Sequence, residues 1–377
     1  MKLEIYFLGN ANKDSRITNL KNSLENEGHT VNVVSFDWFT ENFVTIKGDV
    51  NIYKISKKFS ILFYLHFALI TIRHLISSNA QILFAEDVYT LPFVGLLGKI
   101  KGKKVIYNSR EFYAFLGGLT DRKKLQMAIA EIERLFIKLT DLVLTTGKMD
   151  SEFLEKLYKL DNTCVIRNIP LKKKTDEVID FRNMLNIEKS KTILLYQGVL
   201  LKGRGVETIL HAVSKLPMCD LVILGDGVLK AKLVSITKQL NIENRVHFLG
   251  TILHKDLDKY TAGADIGFCL IENISISYYY ALPNKLFEYI NAKVPVIGSN
   301  LPQIKQIVED YKLGEIIEID NISFDNKVDR IVDCVNKMLS DKQKYLYYKT
   351  NCEKAAEELN WETEYSNAKN RIFEGIN

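Results

Sequence analysis

The chain has 377 residues, 47% apolar and 26% charged, a balance that suits a globular protein long enough for two ordinary domains. Its five cysteines (Cys164, Cys219, Cys269, Cys334, Cys352) are scattered, odd in number and free of any CxxC pair. That argues against a disulfide framework or a structural zinc site and for a reducing, cytoplasmic setting. The net charge of +5 lies wholly in the first half, where residues 1–170 hold 23 Lys and Arg against 18 Asp and Glu. Clusters at Lys99–Lys104 and Arg122–Lys124 suit an anionic membrane face or a phosphate-bearing acceptor, and equally a solvated surface. So small an excess, without interleaved aromatic residues, excludes a nucleic-acid binder.

The opening Met1–Gly9 is too short and too acidic for a signal peptide and is expected to be a first strand. Short β-branched runs then alternate with helical periodicity. In the first half the strands are expected at Leu3–Leu8, Val31–Phe36, Gln81–Phe84, Lys104–Tyr107, Leu142–Thr145 and Cys164–Ile166, with helices such as Ile17–Glu27 and Arg122–Leu139 between them. The apolar stretch Phe59–Ile72 is fourteen residues long, short of the ~20 a membrane span needs, so a helix packed on a sheet face is expected. Its flanking Lys54, Lys57, Lys58 and Arg73 leave an interfacial helix as the alternative. After Pro170 the charged stretch Leu171–Glu177 marks a linker over 171–190. The second half, 191–355, repeats the alternation with strands at Ile193–Tyr196, Leu221–Leu224, Val246–Leu249, Ile266–Leu270 and Val294–Ile297. The fold class is therefore α/β, two doubly wound parallel-sheet domains whose strand ends face a cleft.

Three segments carry candidate chemistry. In Ala281–Ile290, Pro283 suits a helix start, and helical geometry sets Asn284, Lys285 and Glu288 on one side, opposite Leu286, Phe287 and Ile290. A lysine in a first turn opposes the helix dipole by ~0.3–1 kcal/mol, and a bound phosphate would reverse that sign. A solvated amphipathic helix with a Lys–Glu pair is the bland alternative. The loop Gln197–Gly205 follows a strand and contains Gly198, Lys202, Gly203, Arg204 and Gly205. Its glycines allow close backbone approach and Arg204 could clamp phosphate oxygens, although the loop has neither the Walker nor the dinucleotide spacing. Finally, Asn108-Ser109-Arg110-Glu111 ends a first-half strand, where charged residues either face a ligand or form an ordinary surface pair. Asp256-Leu257-Asp258 spells DxD but sits in an amphipathic helix, and the six histidines have no ligand spacing, so no metal is expected.

Together these segments resemble the retaining glycosyltransferases of family 4, which have the GT-B fold of two Rossmann-like domains. The resemblance rests on Asp14-Ser15-Arg16, Lys104–Glu111, Ile166–Pro170, Gly198–Gly205, Leu224-Gly225-Asp226-Gly227, Val246–Gly250, Leu282–Glu288 and Pro295–Gly298, in that order. Trp361-Glu362 resembles the start of the family's closing helix, implying that residues 356–377 return to the N-terminal domain. It implies that Arg204 and Lys285 neutralise the diphosphate of a UDP- or GDP-linked sugar without a metal or other cofactor. Glu288 would hold the ribose. Gly198, Lys202, Gly203, Gly227, Thr251, Ile252, Leu253, Asn284 and Leu286 would complete the donor site, with the base near Gly250–Leu253. Asp14, Arg16, Arg110 and Glu111 would line the acceptor side, Arg110 and Glu111 with catalytic roles.

The sequence departs from the family pattern at three places: Tyr280 replaces a glutamate, Arg110 a histidine and Val199 an arginine. The Leu282–Glu288 motif resembles the branch serving bacterial envelope polysaccharides. A hexose would then pass to a saccharide or polyprenyl-linked saccharide, at the cytoplasmic side of the membrane and in peripheral contact with it through the basic half. A nucleotide-sugar epimerase or phosphorylase of the same architecture, or a partner protein that has lost catalysis, are the alternatives.

Overall fold

The computed structural model describes residues 1–38, 49–172 and 177–375. The chain divides into two compact units, Met1–Asn168 with Trp361–Asn377, and Ile169–Asn360.

The first unit is a seven-stranded parallel sheet: β1 (Lys2–Phe7), β2 (Thr30–Asp37), β3 (Val50–Lys54), β4 (Ile82–Ala85), β5 (Lys104–Ser109), β6 (Leu142–Thr145) and β7 (Thr163–Val165), in the order β3-β2-β1-β4-β5-β6-β7. The helices are α1 (Ser15–Asn26), α2 (Ser60–Ser77), α3 (Leu91–Ile100), α4 (Lys123–Phe136) and α5 (Lys148–Tyr158). Strand order runs one way from β1 to β3 and the other from β3 to β7. Right-handed crossovers therefore put α1 on one face of the sheet and α2 to α5 on the other. Local sequence sets the ends: Asp14 caps α1 through Ile17 N–H at 3.0 Å, and Gly28 with φ +81° turns the chain out of it.

The second unit holds α6 (Phe181–Met184), then β8 (Thr192–Gln197), α7 (Val206–Ser214), β9 (Cys219–Leu224), α8 (Lys230–Gln239), β10 (Val246–Gly250), α9 (Leu257–Thr261), β11 (Ile266–Cys269), α10 (Ile276–Tyr279), α11 (Asn284–Asn291), β12 (Val296–Ser299), α12 (Pro302–Asp310), β13 (Gly314–Ile317), α13 (Phe324–Ser340) and α14 (Lys342–Glu358). Its parallel sheet has the order β10-β9-β8-β11-β12-β13, and each face carries a separate apolar core. Strands buried on both faces explain the continuous β-branched runs. The α/β, doubly wound fold class is what the alternating pattern implied.

Several details differ from the sequence expectation. Strands β3 and β13 were not anticipated: β3 carries polar Asn51 and Lys54, and β13 has only four residues beginning at Gly314. Of the expected linker, residues 173–176 lie outside the described residues. Beyond them Phe181 is fully buried in the second core, so that part of the stretch is packed structure. The last helix, α15 (Trp361–Phe373), belongs to the first unit, where Trp361 Nε1 donates to Ser23 Oγ at 2.9 Å. Helix α2 is longer than the apolar run that announced it. At 18 residues it is long and apolar enough, by length and composition, to cross a membrane, yet one stripe of it packs on the sheet as expected.

Candidate active site

In the second unit the ends of β8 and β9 meet back to back. Gly198 has φ +131° and Gly225 φ +148°, and a Cβ built on Gly225 would lie 2.0 Å from the Gly198 carbonyl oxygen. Only glycine permits both the conformation and the approach. The Gly198 N–H donates to Leu224 O at 2.9 Å, and Leu200 N–H to Asp226 O at 2.9 Å, so the two loops form one hydrogen-bonded shelf. Gly227 lies on it, its N–H donating to Asp226 Oδ1 at 2.8 Å.

Helix α11 starts against this shelf. Pro283 caps it without a side-chain acceptor, which leaves its first N–H groups for a ligand or water. Lys285 is only 6% exposed, and its Nζ has no hydrogen-bond partner among the described residues. It lies 3.9 Å from the centroid of the Tyr196 ring and 3.6 Å from where a Gly198 Cβ would stand. Burial chiefly, and repulsion from Arg204, push the Lys285 ammonium down to about 8 against the opposing pull of Cys269 and Glu288. Arg204 sits between Gly203 (φ +79°) and Gly205 (φ +69°), its guanidinium 4.7 Å from the Tyr278 ring centroid. Two cations thus converge near a glycine shelf with no carboxylate bonded to either among the described residues. One helical turn on, Glu288 accepts a hydrogen bond from Gln197 Nε2, and burial raises its carboxyl above the ordinary value. Gln197 is itself fixed by Thr261 Oγ1, which donates to its Oε1 at 2.9 Å.

The other expected donor residues are placed less uniformly. Asn284 is exposed at the helix start, Lys202 is exposed on the loop, and Thr251 and Leu253 are exposed after β10 with Ile252 half-buried. Leu286 departs from its expected role: its side chain is wholly in the core and its N–H already donates to Pro283 O at 3.0 Å. It anchors the helix and offers a ligand no free donor. Asp256 and Asp258 flank the start of α9, where Lys259 Nζ lies 2.6 Å from Glu177 and 4.0 Å from Asp256. Among the described residues no three His, Cys, Asp or Glu side chains gather as a metal would require.

In the first unit a polar cluster occupies the ends of β1, β4 and β5, at the point where strand order reverses. Arg110 Nη2 donates to both carboxylate oxygens of Asp14, at 2.8 and 2.6 Å, and its guanidinium lies 5.1 Å from the Phe7 ring centroid. Arg16, 1% exposed, donates to Ile166 O at 2.8 Å and to Asn108 Oδ1 at 2.7 Å. It is therefore a hub holding the strand ends rather than a surface on which a ligand could rest. Asn108 Nδ2 donates to Glu86 Oε2 at 2.9 Å, while Glu86 Oε1 is buried without a partner among the described residues. Burial raises Glu86 to about 7 in spite of Arg110 and Arg16. Glu111 is exposed beside this cluster. The sequence did not single out Glu86, Gln197, Tyr196 or Thr261. Glu86 and Gln197 share a legible signal: each stands at the end of a buried strand, as Arg110 nearly does.

This geometry can be set beside known proteins. Residues 177–355 match the family model of the glycosyl transferases group 1. That segment contains every donor-site residue named above. An uncharacterised glycosyltransferase of Methanocaldococcus jannaschii is 25% identical over 177 residues, 44% of this chain and 41% of that protein. The N-acetylgalactosamine-N,N'-diacetylbacillosaminyl-diphospho-undecaprenol 4-alpha-N-acetylgalactosaminyltransferase of Campylobacter jejuni is 26% identical over 168 residues, 42% of this chain and 44% of that protein. The chain thus covers about two fifths of the length of these curated relatives. Among solved structures, sucrose-phosphate synthase from Thermosynechococcus elongatus superposes with a TM-score of 0.76 at 16% identity, over 97% of this chain and 96% of that one. The Anabaena protein HepE in complex with UDP-glucose gives 0.72 at 14% identity, over 98% of both chains. These likenesses show the two-domain GT-B fold.

Proposed function

We propose that this chain is a retaining glycosyltransferase that moves a hexose-type sugar from a UDP- or GDP-linked donor to a saccharide or polyprenyl-linked saccharide acceptor. The observation that carries this reading is Lys285, a buried ammonium whose Nζ has no hydrogen-bond partner among the described residues, set beside Arg204 against a backbone shelf that only glycine allows. Burying an unpaired charge costs several kcal/mol, so a fold that keeps one holds it for an anion. The group 1 match, a relative named for an undecaprenol-linked substrate and a neighbour solved with UDP-glucose supply the chemistry of that anion.

In the proposed reaction the bond between the sugar anomeric carbon and the diphosphate oxygen breaks as the acceptor oxygen bonds to that carbon. The acceptor hydroxyl proton passes to the departing diphosphate. Negative charge grows on the leaving phosphate, where Lys285 and Arg204 stand, so their attraction is greater in the transition state than in the bound donor. That supply of charge is the basis for reading the reaction as metal-independent. Glu288, held by Gln197, is assigned to the ribose hydroxyls, from which its carboxylate would accept. Arg110, paired with Asp14, and Glu111 are assigned to the acceptor. The setting is the cytoplasmic side of a bacterial-type envelope assembly line.

The test is nucleotide release from a panel of UDP- and GDP-sugars, with and without a polyprenyl-diphosphate-linked saccharide. Acceptor-dependent release of one nucleotide, with product of unchanged anomeric configuration by NMR, supports the proposal. A panel in which no nucleotide stabilises the fold would overturn it.

A further inference from the structure

The half-buried Glu288 is held by two polar residues that lie deeper than itself. Gln197, the last residue of β8, is 2% exposed, and Thr261, the last of α9, is 0% exposed. Gln197 Nε2 donates to Glu288 Oε2, and Gln197 Oε1 accepts from Thr261 Oγ1 at 2.9 Å. The main chain of Gln197 is fixed as well, its N–H donating to Tyr289 Oη at 3.2 Å. The next residue is Gly198, so the strand that holds Glu288 runs directly into the glycine shelf. Among the described residues no donor reaches the second carboxylate oxygen, Oε1.

Hydrogen placement gives this chain of contacts a direction. An ionised carboxylate only accepts, so the amide must turn Nε2 toward Glu288 and Oε1 toward Thr261. Turned over, the amide would set its oxygen against the carboxylate. The Thr261 hydroxyl hydrogen separates the two states. It stands between Gln197 Oε1 at 2.9 Å and Leu257 O, one helical turn back, at 2.8 Å. Only the first of these bonds locks the amide. Burial raises the Glu288 carboxyl and the Gln197 donor opposes that shift, so the same bond keeps the group an acceptor. We propose that Thr261 and Gln197 are positioning residues for ribose recognition, holding Glu288 ionised and turned so that Oε1 meets the ribose hydroxyls of the nucleotide. The proposal rests on the ribose role given to Glu288 above and adds the source of its selectivity. A carboxylate oriented before binding loses less rotamer freedom when a hydroxyl arrives. A nucleotide lacking that hydroxyl leaves the fixed, half-buried oxygen unsatisfied, and is rejected for that reason.

The test is calorimetric binding to the full chain of UDP, 2′-deoxy-UDP and 3′-deoxy-UDP, with GDP and its deoxy forms alongside. The parent should bind one ribonucleotide more tightly than at least one of its deoxy forms. Thr261→Val removes the hydroxyl and keeps the branched shape. It should lose about tenfold of that preference while its affinity for the deoxy form holds. Thr261→Ser returns the hydroxyl and should restore the preference. In turnover the loss should fall on KM for the donor rather than on kcat, because the ribose is remote from the bond that breaks. Should Thr261→Val fail to fold, Gln197→Met carries the same expectation. The proposal is overturned by a folded variant of either residue that keeps the parent preference, or that weakens ribo and deoxy forms equally. Glu288→Gln tells the relay from the ribose role. Preference lost in Glu288→Gln but intact in Thr261→Val and Gln197→Met removes the relay alone. Preference intact in Glu288→Gln, or absent from the parent, removes the ribose role and the relay with it.

Discussion

The Lys285 ammonium lies 3.9 Å from the centroid of the Tyr196 ring and has no hydrogen-bond acceptor among the described residues. The ring face gives a partial counter-charge beside the more distant attraction of Glu288, and no acceptor bonds the ammonium directly. Replacing Lys285 with Met keeps most of the volume and removes the buried charge that no hydrogen bond satisfies. Lys285→Met should therefore leave the melting temperature of the free protein unchanged or raised. Transfer should fall by ~10²–10³-fold, the scale of losing one oriented transition-state contact. Calorimetric melting and steady-state turnover on one preparation check both. A marked loss of stability would show Lys285 to be a structural group.

The same burial gives a pH dependence. Lys285 is held at about 8 in the fold, below the ordinary 10.5. Below pH 8 both folded and unfolded chains carry the proton and the full cost of burying it is present. Between about 8 and 10.5 the folded chain gives the proton up while the unfolded chain keeps it, so this group's penalty fades as pH rises. A bound diphosphate should restore the proton. Titrating UDP at pH 9 in two buffers of different ionisation enthalpy should show net proton uptake, and affinity should fall as pH rises above 8.

Arg204 tests whether geometry or charge matters on the second cation. Its guanidinium stacks on Tyr278 at 4.7 Å, so it is oriented before any ligand arrives. Arg204→Lys keeps the charge but loses the planar fork and the stacking. It should retain more activity than Arg204→Ala yet stay ~10-fold or more below the parent, with the loss mostly in kcat. Tyr278→Leu should cost less than either, since it removes orientation alone.

How much of this was legible depended on the range of the interactions. The parallel strands announced themselves through runs such as Ile193–Tyr196, because burial on both faces leaves no other composition. Helix α11 declared both its faces and its unusual lysine, since a helix repeats every 3.6 residues within one short segment. The pairs Gln197–Glu288 and Asn108–Glu86 join residues far apart in sequence, and no local period encodes them. The family resemblance of Asp14-Ser15-Arg16 places Arg16 on the acceptor side, and no local pattern speaks for or against it. Only the fold shows that it turns inward to Asn108 and Ile166. Helix α2 was legible as apolar but not as two-faced, because every side of it is apolar and periodicity has no contrast to report.

The glycine shelf makes a structural prediction. With φ +148° and a Cβ that would stand 2.0 Å from Gly198 O, Gly225→Ala has neither the conformation nor the space. Strain of this kind costs ~1–3 kcal/mol before any displacement is counted. Chemical denaturation should show a loss of at least ~2 kcal/mol in the second unit, together with weaker UDP binding. Gly250→Ala is the control, since its φ of +73° is also positive but nothing lies within 4 Å of its Cβ. It should cost stability and leave the shelf, and hence nucleotide affinity, closer to the parent.

Glu86 links the first unit's polar cluster to pH. It is wholly buried, accepts from Asn108 through one oxygen, leaves the other without a partner among the described residues, and titrates at about 7 where an ordinary glutamate titrates at 4.5. Between those values the folded chain holds a proton that the unfolded chain has released, so the Glu86 contribution to stability is lost as pH rises from about 4.5 to 7. A shift of that size corresponds to as much as ~3 kcal/mol, an upper bound for a buried carboxyl tied to two arginines. Glu86→Gln fixes the neutral form and keeps an acceptor for Asn108. It should be more stable than the parent at pH 8, equal to it near pH 5, and should flatten the parent's slope between. If urea midpoints of the two proteins run parallel across that range, Glu86 is ionised throughout and Arg16 and Arg110 outweigh its burial.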